Sequence, residues 1–228
     1  MVKALISLSG GMDSVTVLAE AIHQLGRENV ECVGFRYGSK HNQYENEAAR
    51  KVAEHYGVPF GLIDFSSVAG ELKSNLLKTG GEIPEGHYEA KSMSQTVVPG
   101  RNLIFISILT GVAWSREIDQ IWLGPHQGDH EIYGDCRPIF FHAMNAAVVA
   151  GSEERVELVA PYLHGDKVTI LKRGLELGVP YYLTRTCYKD QPIACGKCGA
   201  CQERQAGFLA NGVEDPVEYE FRGILPKG

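Results

Sequence analysis

The chain has no run of about 18–20 consecutive apolar residues, so no segment is expected to span a membrane. Its opening, Met1 to Leu8, goes straight into a strand-like stretch without the basic region and apolar run of a secretory signal, and a cytoplasmic location is expected. Positive charge is also short: 22 Lys and Arg stand against 28 Asp and Glu, a net charge of −6, which argues against stable binding to a nucleic-acid backbone. Internal repeats and low-complexity tracts are absent. Cysteine is scarce, at six among 228 residues, and four of the six crowd between Cys187 and Cys201. In a reducing compartment that crowding fits a metal better than disulfides. What remains is a globular chain, 44% apolar and 22% charged, with room for one sizeable core and a small appendage.

The apolar pattern alternates between strand and helix periods. Ala4–Leu8, Val30–Phe35, Pro59–Ile63, Gln120–Leu123 and Val156–Ala160 read as strands, and Asp13–Leu25, Glu45–Tyr56, Leu103–Arg116, Pro138–Ala150 and Val168–Leu177 as helices. That alternation predicts a mostly parallel sheet. Between Ser66 and Val98 the pattern dissolves into Gly, Ser, Lys and Glu, which predicts a long loop or flap beside the functional edge. After Gly178 the composition turns to Tyr, Cys, Gly and Lys, as in a knuckle held by metal instead of a core. The expected division is residues 1–180, an α/β nucleotide-binding domain, and residues 181–228, a four-cysteine zinc segment.

Leu8, Ser9, Gly10, Gly11, Met12, Asp13 and Ser14 join the first strand to the first helix. Backbone N–H groups and a helix N-terminus there can receive a phosphate, with the glycines allowing close approach. The Ser9 and Ser14 hydroxyls can donate to phosphate oxygens, while Asp13 either caps the helix or helps hold a Mg2+ bound to the triphosphate. No Gly-Lys-Ser or Gly-Lys-Thr follows, and the spacing is not that of the three-glycine dinucleotide fingerprint. The segment resembles the PP-loop of the ATPases that cleave ATP between the α and β phosphates and adenylate an oxygen. That resemblance implies an α/β, Rossmann-like (adenine nucleotide alpha hydrolase-like) parallel sheet with helices on both faces.

Cys187, Cys195, Cys198 and Cys201 supply four thiolates, the last three within Cys-Gly-Lys-Cys-Gly-Ala-Cys. Four soft ligands in so short a span suit tetrahedral Zn2+, and a redox Cys-x-x-Cys pair is the competing chemistry. No His is interleaved to suggest an open catalytic position, so the zinc reads as structural.

Further motifs run through the chain: Tyr37, Gly38, Lys40 and His41; Val98-Pro99-Gly100-Arg101-Asn102; Tyr133, Asp135, Cys136 and Arg137; and Arg204, Gly207 and Phe208. In this order, with the phosphate loop and the cysteines, they resemble the 7-cyano-7-deazaguanine synthase family over nearly the whole chain. Two departures stand out: Gly134 where the family often has Pro, and Arg185 where a Trp often precedes the first zinc ligand. The resemblance implies an ATP-dependent C–N ligase. It would convert 7-carboxy-7-deazaguanine and ammonia to the nitrile preQ0 through adenylated acid and amide, in queuosine or related 7-deazapurine biosynthesis.

On this reading ATP is held by Leu8 to Ser14 and His41, and the catalytic set is Asp13, Ser14, Arg101 and Lys167. Lys167 is either a phosphate counterion or a solvated helix-start charge. Arg101 and Asn102 either bind phosphate or the purine-like ring, or cap their helix. Asp135 and Arg137 either read the deazaguanine edge or form a surface salt bridge. His87, His126 and His130, with His41, are further general-acid candidates. Residues 66–98 are the candidate lid that excludes water. No glutaminase domain is visible, so free ammonia is the expected donor. The resemblance and the apolar, zinc-buttressed C-terminal end suggest a homodimer. Rival readings are a PP-loop tRNA-modifying enzyme, an enzyme attaching the deazapurine to protein, and a zinc-dependent nucleic-acid adaptor.

Overall fold

The computed structural model describes residues 2–87 and 91–226. Five parallel strands, β1 (Ala4–Ser7), β2 (Val30–Arg36), β3 (Phe60–Asp64), β4 (Gln120–Trp122) and β5 (Glu157–Val159), form one sheet in the order β3-β2-β1-β4-β5. The order reverses between β1 and β4, and the crevice beyond the carboxyl ends of such neighbouring strands is where doubly wound sheets bind ligands. Helices α1 (Met12–Leu25), α2 (Asn42–Tyr56), α3 (Ser66–Ala69), α4 (Arg101–Ser115), α5 (Pro138–Gly151), α6 (Lys167–Glu176) and α7 (Gly199–Ala210) complete the chain.

Local chemistry sets these boundaries. α6 begins where Asp166 accepts from Thr169 N at 2.8 Å, and α2 ends where Gly57 adopts φ 66°, a conformation that costs glycine little. Ala4, Leu5 and Ile6 of β1 are fully buried because helices cover both faces of the sheet. Each such aliphatic side chain contributes about 1.5–3 kcal/mol by leaving water. One core lies under α4 and α5 and includes all four clustered cysteines. The other lies under α1, α2 and α6 and takes in Phe208 of α7. Residues beyond 180 thus share their apolar cores with the α/β domain.

Two sequence expectations need adjustment, and a third needs support from the fold. Gly199–Ala210, read only as metal knuckle, is a helix of 12 residues, eight of them buried. The segment 66–98 is partly packed: Leu76, Leu77 and Met93 are buried, and Lys40 Nζ donates to the carbonyls of Asn75, Gly80 and Gly81. Finally, Ser92–Ser115 is long and apolar enough by composition to cross a membrane. The fold interrupts it at Gly100, with φ 64°, and leaves a helix of 15 residues, about 22 Å against a hydrocarbon core of about 30 Å.

Candidate active site

The phosphate loop is prearranged by its own serines. Ser14 Oγ donates to Gly11 O at 3.1 Å and accepts from Ser9 N at 3.2 Å, while the two serine hydroxyls lie 3.1 Å apart. Gly11 N donates to Ser9 Oγ at 3.2 Å. Gly10 has φ 82°, and a Cβ there would sit 2.5 Å from Glu45 O and 2.6 Å from Ala49 N. Only glycine lets the loop lie flat on α2.

Asp13 does not cap α1, whose N-cap residue is Gly11. Its Oδ2 instead accepts from Lys167 Nζ at 2.6 Å, and Oδ1 is buried without a partner. Lys167 opens α6 and is buried, so it is not a solvated charge. Its ammonium also lies 3.1 Å from Glu203 Oε2 on α7. Burial alone would lower the Lys167 pKa, but the carboxylates of Asp13 and Glu203 outweigh it and hold the group charged. Burial pushes Asp13 up, and Lys167 and His126 together pull it below its ordinary value. His126, 1% exposed, accepts from Gly128 N through Nδ1 at 3.1 Å and turns Nε2 toward Asp129, 3.5 Å away, and Asp13, 3.8 Å away. Acceptance at Nδ1 places the ring proton on Nε2.

Arg101 lines the same cleft as this charged corner, with Tyr37, Tyr133 and Cys136 around it. Those groups and Asp135 favour its charge against the cost of burial. Asn102 and Asp135 satisfy each other: Asp135 Oδ2 accepts from Asn102 N at 2.9 Å, and Asn102 Nδ2 donates to Asp135 O and to Cys136 Sγ, both at 3.2 Å. Asp135 therefore caps α4, a role neither expected alternative contained. Arg137 is exposed and outside the cleft lining, and its Nε donates to His130 O at 2.7 Å. His41 is buried and lines the cleft.

Glu203 and Asp129 were missed in the sequence. Both line the cleft. Glu203 follows the last clustered cysteine by two positions, a spacing that carries meaning only once α7 is recognised as a helix leading to the phosphate loop.

The four cysteines converge, with all Sγ atoms within 4.8 Å of one another. Tetrahedral Zn–S bonds of about 2.3 Å would set them slightly closer. Backbone N–H groups point at the sulfurs, from Lys189 and Cys195 to Cys187 at 3.4 Å and from Cys198 to Cys195 at 3.3 Å. This donor set fits a soft tetrahedral ion. Arg185 gives its departure from the family pattern a physical role. Its backbone N–H donates to Gly10 O at 2.8 Å, while its guanidinium holds the carbonyls of Lys189, Gln191 and Pro192 and lies 4.9 Å from the Tyr44 ring centre. The turn between the first two cysteines is thereby tied to the phosphate loop.

Residues 3–212 match the family described as "Queuosine biosynthesis protein QueC". The chain is 44% identical over 218 residues to the 7-cyano-7-deazaguanine synthase of Pseudoalteromonas atlantica, covering 96% of this chain and 99% of that one. It is 45% identical over 219 residues to the enzyme of the same name from Caldicellulosiruptor saccharolyticus, covering 96% of each. Among solved structures, the U34-tRNA thiolase NcsA from Methanococcus maripaludis with its [4Fe-4S] cluster aligns with a TM-score of 0.50 at 17% identity, over 92% of this chain and 66% of that one. That likeness concerns the fold.

Proposed function

Since the chain belongs to the queuosine biosynthesis protein QueC family, it is an ATP-dependent 7-deazapurine enzyme, and we propose that the cleft beyond β1 and β4 performs its nitrile synthesis as follows. The reaction converts 7-carboxy-7-deazaguanine to 7-cyano-7-deazaguanine. ATP seats its phosphates on Ser9 to Ser14, where backbone N–H groups and the α1 terminus meet the anion. Lys167 balances charge on the breaking α–β bridge. Asp13 Oδ1, the oxygen Lys167 leaves free, is the one available to a Mg2+ on the triphosphate, which would neutralise charge there.

Arg101, held charged in the cleft lining, orients the substrate carboxylate toward the α phosphate. Carboxylate oxygen attacks phosphorus and pyrophosphate leaves. Ammonia then displaces AMP to give the amide, and a second adenylation, on the amide oxygen, lets AMP depart as the nitrile forms. Most of the rate comes from positioning and charge neutralisation. The observation that carries this reading is that Arg101 and the ion-paired Asp13 and Lys167 line one and the same cleft. Substrate labelled with 18O in both carboxylate oxygens tests it. One label is expected in each of the two AMP molecules released; unlabelled AMP would exclude acyl adenylation.

The metal held by Cys187, Cys195, Cys198 and Cys201 is proposed to be structural Zn2+, with no step of the chemistry assigned to it. The free base is the proposed substrate, not a base within RNA, in keeping with the net charge of −6, and a cytoplasmic location suits thiolate ligands and an ATP supply. Residues 66–98 are proposed to keep water from the acyl adenylate. Shortening residues 78–86 is expected to raise AMP formation without nitrile, read by product ratios, and unchanged coupling would remove the lid role.

A homodimer is proposed from two apolar helices. Leu103 of α4 is 49% exposed and Ile139 of α5 is 79% exposed, and only Phe141 and Val148 of α5 are buried. Patches of this kind are covered in most stable proteins. Light scattering is expected to give twice the chain mass, and Ile139→Asp to shift the protein toward monomer.

A further inference from the structure

His41 is the N-cap residue of α2, 4% exposed, with its side chain in the cleft wall. Nε2 lies 3.3 Å from Glu45 Oε2, one helical turn on. Nδ1 is buried and has no hydrogen-bond partner. Leaving a buried polar atom without a partner is unfavourable, and such atoms in a folded protein call for a functional explanation. The nitrogen held by a carboxylate carries the ring proton, so the other offers a lone pair.

The surroundings agree with a reactive position. The first turn of α2 abuts the phosphate loop, since a Cβ on Gly10 would lie 2.5 Å from Glu45 O. Tyr188, from the segment after Cys187, places its ring centre 5.4 Å from that of His41. Tyr37 just after β2, Arg101 at the start of α4, and Tyr133, Asp135, Cys136 and Arg185 are further charged or titratable groups in the same cleft lining. Two other candidates beside the phosphate loop are already engaged, His126 Nδ1 by Gly128 N and Asp13 Oδ2 by Lys167.

We propose that His41 Nδ1 is the proton acceptor for the nitrogen chemistry, with Glu45 as the positioning residue that fixes the ring. The inference rests on the nitrile-forming function given above. In the first step the ammonia lone pair forms the C–N bond, and the C–O bond to AMP breaks with its electrons leaving on the phosphate oxygen. The proton shed by nitrogen goes to Nδ1 and then to solvent. In the second, the adenylated amide sheds two protons through the same atom, one after the other, as C≡N forms and AMP departs. Glu45 keeps Nε2–H in place throughout, as the carboxylate does in other His–carboxylate pairs.

The test compares wild type, His41→Asn and Glu45→Gln in two assays: substrate-dependent ATP–pyrophosphate exchange without ammonium, and product formation with ammonium or with hydroxylamine, whose nitrogen, being less basic, sheds its proton after attack with less need of an acceptor. With ammonium, His41→Asn is expected to lose about 10²–10⁴-fold in kcat while exchange persists, and hydroxylamine to restore most of the rate as hydroxamate. Glu45→Gln shows a smaller loss with the same pattern and carries the test if the His41 variant does not fold. Turnover of ammonium at the wild-type rate by both variants overturns the proposal. So does parallel loss of exchange with a raised KM for ATP, which would make His41 a nucleotide ligand. Wild type that exchanges pyrophosphate but makes no nitrile would overturn the underlying function instead.

Discussion

Replacing Lys167 by Met is expected to lower kcat by about 10²–10³-fold, the usual loss when a preorganised charge is removed from a developing anion, and to destabilise the fold by about 3–5 kcal/mol. The second effect follows from what the variant leaves behind: Asp13 and Glu203 would face each other through buried space without the ammonium that lies 2.6 Å from one and 3.1 Å from the other. Steady-state kinetics and urea unfolding read the two losses separately. Asp13→Asn should be milder for stability, since Lys167 would keep Glu203. The pair also sets a pH signature. Asp13 has its folded pKa below the unfolded value of 3.8, so its contribution is present above that value and is lost as pH falls through the folded pKa. Lys167 is held above its unfolded value of 10.5, so its contribution is complete below that pH and fades only as pH rises through the folded pKa. Between these limits Asp13 and Lys167 both stay charged, so the native pair adds no pH dependence to stability there.

The second large effect concerns the metal. Cys198→Ser is expected to reduce bound zinc from one per chain to a small fraction, measured by atomic emission, and to lower Tm by about 10–20 °C, each kcal/mol being worth about 2–4 °C at this chain length. Apparent binding energies for such sites are about 10–16 kcal/mol, and the four cysteines sit in the core shared with the sheet. ATP affinity should fall with metal content, because the segment they anchor carries Arg185 against Gly10 and Glu203 against Lys167. Cys32, buried on β2 and apart from the cluster, is the control: Cys32→Ala should leave zinc content unchanged.

Some of this site is written locally and some is not. The phosphate loop was legible because its function depends on residues next to one another: Gly10 must take φ 82° against α2, and the two serines close a turn only at their spacing. The parallel sheet was legible from alternating periods, with strand and helix limits shifted by a few residues at the ends. That Lys167 is buried against Asp13 and not solvated needed the fold, because Asp13 lies 154 positions away. Asp135 illustrates the same limit. Its carboxylate caps a helix through the N–H of Asn102, 33 positions earlier, and no local pattern distinguishes that from ring recognition. Helix α7 escaped because its buried face carries Gln202, Arg204 and Gln205 while Leu209 is exposed, so its sequence shows no amphipathic stripe, and its cysteines read first as ligands.

The most direct test of the central claim is mass spectrometry of the product formed by purified protein with Mg-ATP, ammonium and 7-carboxy-7-deazaguanine, beside the Asp13→Ala variant. The mass of the nitrile, with two AMP per product and neither formed by the variant, is the predicted result. Zinc-loaded protein that binds ATP yet leaves the deazapurine unchanged would contradict it.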